Sequence, residues 1–315
     1  MLTDFGNHDV PPNHLKPLVA VWMVAYNHGN YIEQAIESVM FQQTSFGFKL
    51  YIGEDLSSDQ TRDICIKLKE KYPDKIALFL HEKNIGGDAN GRFMYDVTFG
   101  SGAKYIALLE GDDYWTDPQK LQLQVDFLEQ NQQCVFCFHK AFKIFDRESG
   151  LRVSYPKWIG KNVLNESDFF KIPTIPTASV VFRNEIVFPE LYHSHGDLLL
   201  YGTLLSKGQA GFIDLEMSIY RLHDNGISAR YNENWYLERR IGELVIEQKF
   251  SGFSQNVRNE IEKILNEHIQ HYLNKNRSSL DLQHKMQYLK ILIGLKSFYT
   301  SPIRQYATLV KTLLQ

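Results

Sequence analysis

The sequence predicts an α/β fold: a mostly parallel central sheet flanked by helices, followed by a wholly helical C-terminal extension. Three observations carry that expectation. Residues 18–138 alternate short apolar runs with stretches whose apolar side chains recur at helical spacing. The first run, residues 18–24, is continuously apolar, as a strand buried on both faces must be. From about residue 234 onward no strand pattern returns.

The elements follow in order. After the first strand, the turn-rich Asn27-His28-Gly29-Asn30 leads into Ile32, Ala35, Ile36 and Val39, one face of a helix. Residues 48–52 read as the second strand. Ser57, Ser58 and Asp59 are capping residues ahead of a helix that carries Ile64, Cys65, Leu68 and Tyr72 and stops at Pro73. Residues 76–80 and 105–109 make strands three and four, and Thr116-Asp117-Pro118 opens a helix through Leu121, Val125 and Leu128. Strands spaced by helices imply right-handed crossovers, hence parallel neighbours. Beyond them, residues 134–138, 178–182 and 212–220 read as strands. A further helix is expected over about 198–207, with Asp197 as its cap and Gly208 at its end.

Composition excludes several classes. Of 315 residues, 43% are hydrophobic and 23% charged, so global disorder is ruled out. Lysine plus arginine is 34 against 37 aspartate plus glutamate, a balance of −3 that argues against a nucleic-acid binder. Cys65, Cys134 and Cys137 are too few and odd in number for a disulfide framework. Cys134 and Cys137 form a C-x-x-C near His139, yet no second ligand pair for zinc accompanies them, so both are expected to be buried apolar side chains. Asp4, Asp9, Pro11 and Pro12 make a poor signal peptide, and no apolar run reaches membrane-spanning length. After Asp281 there is no acidic residue, while Lys285, Lys290, Lys296, Arg304 and Lys311 accompany Leu289, Ile291, Leu292, Ile293, Leu295 and Phe298. Such a basic amphipathic stretch either docks on its own chain or a second copy, or lies on an anionic membrane surface.

In an open parallel sheet, ligands bind beyond the carboxyl ends of the strands. Those ends carry Ala25-Tyr26-Asn27, Glu54-Asp55 with Asp59 beyond, Asn84-Ile85-Gly86-Gly87, and Glu110-Gly111-Asp112-Asp113. Six carboxylates therefore meet on one rim. Glu110, Asp112 and Asp113 repel one another unless a cation or protons neutralise them, and hard oxygen ligands suit magnesium or manganese. The plainer alternative is a solvated acidic turn whose Asp113 and Asp117 cap the next helix. No G-x-G-x-x-G directly follows the first strand and no P-loop occurs, which counts against dehydrogenase and P-loop readings. His193, His195 and Asp197 precede a helix, and Tyr220-Arg221-Leu222-His223-Asp224-Asn225 follows a strand; both clusters are polar and could serve a site.

Taken in order, these motifs resemble the family 2 glycosyltransferases of GT-A fold over roughly residues 17–229. Val24-Ala25-Tyr26-Asn27-His28 is similar to the family's P-T-Y-N-H, and residues 54–61 to its D-D-G-S-T-D-G-T. Asn84-Ile85-Gly86-Gly87 matches N-L-G-G, residues 106–115 match the Asp-X-Asp region, and residues 212–223 resemble its F-I-D…Y-R-x-H segment. The resemblance implies roles. Asp55 would accept a hydrogen bond from the nucleotide base, with Ala25, Tyr26 and Asn27 lining that pocket and Asn84, Gly86, Gly87 and Gly111 near the nucleotide sugar. Glu110 would face the ribose, Asp112 would ligate Mn2+ or Mg2+ on the diphosphate, Asp113 would support it, and His223 would approach from the other side. Asp197 would be the catalytic base. Glu54 and Leu56 depart from the usual Asp and Gly, and Gly196-Asp197-Leu198 stands where G-D-W is common.

The resemblance thus implies a metal-dependent inverting glycosyltransferase. Its donor would be a nucleoside-diphosphate sugar, in first place a UDP-sugar, and its acceptor a glycan or lipid-linked glycan in cell-surface polysaccharide or glycoconjugate synthesis. The expected organisation is a tail at 1–16, a nucleotide-sugar-binding half at 17–139, an acceptor half at 140–229 and a helical extension at 230–315. The expected location is cytoplasmic or peripheral at the inner membrane face, with the C-terminal helices open to membrane contact or homodimer formation. Two other readings stand beside it. A nucleotidyltransferase or other metal-dependent nucleotide enzyme would share the acidic rim without an acceptor-side aspartate. A noncatalytic nucleotide- or sugar-binding module would bind without turnover and tolerate loss of Asp197.

Overall fold

The apolar run of the first strand becomes β1 (Val19–Ala25), in which every side chain except that of Val24 is buried. The computed structural model describes residues 16–145, 152–157, 160–172, 174–185, 196–224, 226, 241, 244, 252–276 and 279–294. Parallel neighbours flank β1: β2 (Phe48–Glu54) on one side and β4 (Tyr105–Leu108) on the other. Beyond β2 lies the parallel β3 (Ile76–Leu80). Helix α1 (Ile32–Met40) buries the four residues that set its period, Ile32, Ala35, Ile36 and Val39. Helix α2 (Thr61–Lys71) buries Cys65 and Leu68 and ends ahead of Pro73. Burial pushes the Cys65 thiol up to about 12, so it stays protonated and unreactive.

One crossover helix is absent from the sequence reading. Helix α3 (Gly87–Phe99) carries two glycines, an asparagine and two aspartates, a composition of low helix propensity. Tertiary packing holds it instead. Asn90 Nδ2 donates to the Gly53 carbonyl at 2.9 Å, and Tyr95 stacks on Trp22 with ring centroids 5.1 Å apart. A Cβ on Gly53 would come within 2.6 Å of Met94, so β2 needs glycine where α3 crosses it.

Beyond the acidic turn come β5 (Tyr114–Trp115) and α4 (Lys120–Gln130). The chain separates into two compact units, Met1–Leu123 with Val181–Glu185, and Gln124–Val180 with Ile186–Gln315, so the division falls within α4. In the second unit, β6 (Cys134–Phe145) pairs antiparallel with β7 (Arg152–Tyr155). The two-residue β8 (Val163–Leu164) leads to the short α5 (Glu166–Phe169), which Asn165 caps by accepting from Asp168 N–H at 2.9 Å. The expected strand over 178–182 is only half right. Residues Thr177–Ser179 form a 3₁₀ turn, and the strand is β9 (Val181–Arg183), which returns to the first unit and pairs antiparallel with β4.

Helix α6 (Gly196–Leu205) is followed by β10 (Gln209–Leu222), parallel to β6 and antiparallel to β8. Strand β10 runs past the expected 212–220 at both ends, with register shifts around Glu216. The core of this unit is aromatic: Phe138 meets Phe212 at 5.1 Å and Phe136 stacks on Tyr201 at 5.9 Å. Cys134 and Cys137 are buried free thiols in β6, as expected, and His139 Nδ1 donates to the Lys140 carbonyl at 2.7 Å.

The helical extension appears as α7 (Gln255–Lys275), capped by Ser254, and α8 (Leu282–Gly294). Tyr288 of α8 meets Tyr272 of α7 at 5.1 Å, and Leu292 is buried. Lys285 and Lys290 lie on α8, while Lys296, Arg304 and Lys311 fall outside the described residues. No helix among the described residues is long and apolar enough to cross a membrane.

Candidate active site

The carboxyl ends of β3, β2, β1 and β4 open onto one rim of the first unit. There the loops are tied to one another by side chains. Asp55 N–H donates to the Ala25 carbonyl at 3.0 Å, continuing the β1–β2 ladder one step past the strands. Its carboxylate, 1% exposed, accepts from Ile85 N–H at 2.7 Å and Gly86 N–H at 2.9 Å, and Asn84 Nδ2 donates to its carbonyl at 3.0 Å. Gly86 has φ +87°, a conformation open to glycine at no steric cost, and from it the chain turns into α3. Gly87 then opens α3.

The first loop is tied to the second. Asn27, at φ 55°, donates its N–H to Ser57 Oγ at 3.0 Å and accepts from Ser58 N–H at 2.9 Å. His28 N–H donates to Thr61 Oγ1 at 2.7 Å and Gly29 N–H to Asp59 Oδ2 at 2.8 Å. Asp59 Oδ1 accepts from Thr61 N–H at 2.9 Å, so of the three expected caps Asp59 is the one that serves α2, while Ser57 and Ser58 serve the loop. Burial pushes the Asp59 carboxyl up, but hydrogen bonds from Thr61 and Gly29, with His28 nearby, outweigh it and hold the pKa below its ordinary value.

A carboxyl held low in the folded state adds stability above its unfolded pKa, about 3.9, and that stability is lost as pH falls through the folded value. Asp59→Ala is therefore expected to cost about 1 kcal/mol at pH 7, the scale of a lost helix cap. The difference in melting temperature from wild type should shrink below about pH 4. A gap that persists unchanged into acid would remove the charge from the account.

The six carboxylates of the rim now sort themselves. Glu54 is fully buried: one oxygen accepts from Ser57 N–H at 2.7 Å and the other from Arg62 Nε, whose guanidinium also donates to the His81 carbonyl at 2.7 Å. Glu54, Asp55 and Asp59 thus brace loops. Asp113 is 1% exposed. Glu110 and Asp112 are half-buried, while Asp59 is exposed but engaged by Thr61 and Gly29. Asp112 Oδ2 stands 3.8 Å from His28 Nε2, and its side chain keeps 21% of its surface exposed.

Gly111 makes that turn possible. Its N–H donates to the Val24 carbonyl at 3.1 Å, and a Cβ there would meet His28 Nδ1 and Ile32 Cδ1 at 2.8 Å each. Behind the turn Lys120, fully buried, places its ammonium 3.9 Å from the Trp115 ring centroid, a close cation–π contact.

A part-exposed carboxylate oxygen suits magnesium or manganese, which take one or two protein carboxylates and complete the shell with waters and phosphate oxygens. Among the described residues no group of three or more His, Cys, Asp or Glu is placed to hold a metal ion. Asp112 could be one such carboxylate, sharing an ion with waters and a phosphorylated ligand. The second unit carries the other two candidates. Asp197 sits in the first turn of α6, which begins at Gly196, so it is not the N-cap expected from the sequence. His223 follows β10 and is 6% exposed, with its carbonyl accepting from Gly226 N–H at 2.9 Å.

The family model described as glycosyl transferase family 2 matches residues 20–187, just over half of the chain. The chain belongs to glycosyltransferase family 2. Among its relatives, an uncharacterized Mycobacterium tuberculosis protein is 31% identical over 212 residues, covering 66% of this chain and 60% of that protein. This chain thus matches less than two thirds of that relative's length. TuaG of Bacillus subtilis, a putative teichuronic acid biosynthesis glycosyltransferase, is 28% identical over 260 residues, 79% of this chain and 98% of TuaG. Among solved structures, S. aureus TarS in complex with UDP-GlcNAc superposes with a TM-score of 0.64 at 16% identity, over 87% of this chain and 79% of that one. A Pyrobaculum calidifontis mannosyltransferase in complex with GDP-Man and Mn2+ superposes at 0.53 and 13% identity, over 95% and 85%. These likenesses establish the GT-A fold.

Family 2 membership gives the two departures in the second motif a physical reading. Glu54 uses its extra methylene to reach Arg62 and Ser57 together, so it is a brace. Leu56 occupies the position of the usual glycine while keeping a left-handed φ of 54°, at a cost of about 1–2 kcal/mol for a non-glycine residue. The sequence reading did not single out His28, Arg62 or Lys120 as parts of the site. His28 lay in a quoted motif, but its proximity to Asp112 depends on β1 and β4 being adjacent. No spacing within the sequence signals that.

Proposed function

We propose that this family 2 member is a metal-dependent inverting glycosyltransferase. It moves a sugar from a nucleoside-diphosphate sugar, a UDP-sugar in first place, to a hydroxyl of a glycan or lipid-linked glycan. The observation that carries the reading is the rim itself: its loops are locked by Glu54, Asp55 and Asp59, while Asp112, half-buried beside His28, keeps part of its side chain open in the turn beyond β4. TuaG's putative role in teichuronic acid biosynthesis and the UDP-GlcNAc bound to TarS support cell-surface glycan synthesis and a UDP-sugar donor. The manganese bound by the mannosyltransferase supports a divalent ion.

In this reading residues 17–139 bind the donor, residues 140–229 the acceptor, and residues 230–315 form a helical extension. Asp112 would hold the ion with Asp113 in support, Glu110 would meet the ribose and Asp55 would accept from the base; His223 is the candidate that the second unit would contribute. The bound divalent ion would neutralise charge developing on the leaving diphosphate. Asp197 takes the proton of the acceptor hydroxyl as its oxygen bonds to the anomeric carbon. The bond from that carbon to the diphosphate oxygen breaks in the same step, with inversion. No covalent glycosyl-enzyme forms, so one carboxylate base suffices.

The expected result is thermal stabilisation by one or a few members of a nucleotide-sugar panel, larger with manganese than without, and slow hydrolysis of the same donors. Binding of a donor without any transfer to any glycan acceptor would favour the noncatalytic module. A nucleoside triphosphate turned over to pyrophosphate would favour the nucleotidyltransferase.

A further inference from the structure

Leu56 pairs two features that are each unfavourable for the fold. Among the described residues only Asn27 and Leu56 combine a side chain with a positive φ, and asparagine tolerates that region where leucine does not. The backbone there is imposed by its neighbours. Glu54 holds Ser57 N–H, Asp55 holds the loop of Ile85 and Gly86, and Asn27 holds Ser58 N–H. Glycine would satisfy the same clamps without strain. The leucine side chain does not fill the core either, because Leu56 is 40% exposed.

Strain kept at a rim implies use at that rim. The register pairs Ala25 with Glu54, so Tyr26 and Leu56 each lie just past the ends of adjacent parallel strands. Tyr26 is 46% exposed, and together they present the two large exposed hydrophobics of these strand ends. Asp55 falls level with Tyr26 and directly precedes Leu56, and each of its carboxylate oxygens, already accepting one N–H, has a lone pair left to accept a second hydrogen bond. A ligand group with an apolar flat face and a hydrogen-bonding edge suits that combination, and a nucleobase is such a group.

We propose that Leu56 is a specificity-setting residue: its side chain is an apolar platform for the face of the donor's nucleobase. The inference rests on the nucleotide-sugar reading above. The chain keeps leucine in a glycine conformation because the side chain is needed by the ligand and not by the fold.

The test compares Leu56→Gly and Leu56→Ala with wild type by calorimetry, using UDP with manganese and inorganic pyrophosphate with manganese, alongside melting temperature. Leu56→Gly relieves the strain and removes the side chain. It should melt at or above the wild-type temperature while its affinity for UDP falls by about 5- to 20-fold. Leu56→Ala keeps the strain, so it should lose similar UDP affinity without the gain in melting temperature. Pyrophosphate affinity should be unchanged in both, since the platform touches only the base. Unaltered UDP affinity in both variants, or equal losses for UDP and pyrophosphate, overturns the proposal while leaving the donor reading intact. Should wild type bind no nucleoside diphosphate among UDP, GDP, ADP and CDP, with or without manganese, the donor reading falls and the platform with it.

Discussion

Asp112→Asn is expected to weaken manganese-dependent binding of a nucleoside diphosphate by about 10²-fold, the scale of roughly 3 kcal/mol for removing one partner of a desolvated charge pair. The argument starts from the backbone. Gly111 N–H bonds to Val24 and Asp113 N–H to the Glu110 carbonyl at 3.1 Å each, so the turn is fixed by main-chain contacts that asparagine leaves alone. Asp112 keeps 21% side-chain exposure, so the change should move the melting temperature little. What it removes is one formal charge at a site built to be completed by phosphate oxygens. Without manganese the sign reverses: the wild-type carboxylate repels a diphosphate, so the variant should bind at least as well as wild type. Calorimetry with and without the metal reads both signs in one series. Equal affinities of wild type and variant in manganese would sink the assignment of Asp112 as a ligand.

The parallel half of the sheet was legible because β1 and β4 are buried on both faces and read as unbroken apolar runs. Helix α3 was not, because Gly87, Asn90 and Gly91 lower its propensity and its hold comes from Gly53 and Trp22, 34 or more residues away. Strand direction was equally hidden. Val180, Val181 and Phe182 are apolar whichever way the strand runs, and only pairing with β4 shows β9 to be antiparallel. The expected strand stops short of Gln209-Ala210-Gly211 and Arg221-Leu222 because glycine and polar residues interrupt the apolar run there, whereas pairing with β6 carries β10 through both ends.

The candidate site divides along the same line. Residues placed by their own strand end, such as Asp112 beyond β4, are legible by reading past each strand. Residues whose role depends on a neighbouring loop are not. Asp59 reaches Gly29 across 30 positions, and Glu54 works through Arg62; a cross-loop brace has no period and no motif. Of the six rim carboxylates, Glu54, Asp55 and Asp59 serve N–H groups or a guanidinium of neighbouring loops, which no count of acidic residues at strand ends could show.

Asp197→Asn is expected to lower sugar transfer by about 10²- to 10⁴-fold, the usual scale for loss of a general base, with donor binding in manganese near wild type. Asparagine keeps the shape of the side chain and loses its capacity to take a proton. The position matters to the control. Asp197 lies in the first turn of α6, where a negative charge meets the helix dipole, so a purely structural aspartate would also lose something on neutralisation. That loss is about 0.3–1 kcal/mol of stability, and it would appear in the melting temperature with transfer nearly intact. The two roles separate on one variant when transfer rate, donor affinity and melting temperature are measured together. A base gives a large fall in rate with a small shift in melting and none in donor affinity. A dipole partner gives the small shift alone. The second pattern would assign Asp197 to the helix, and the acceptor proton would then have to pass to another group of the same unit, for which Glu190, His195 and Asp224 are the next variants to make.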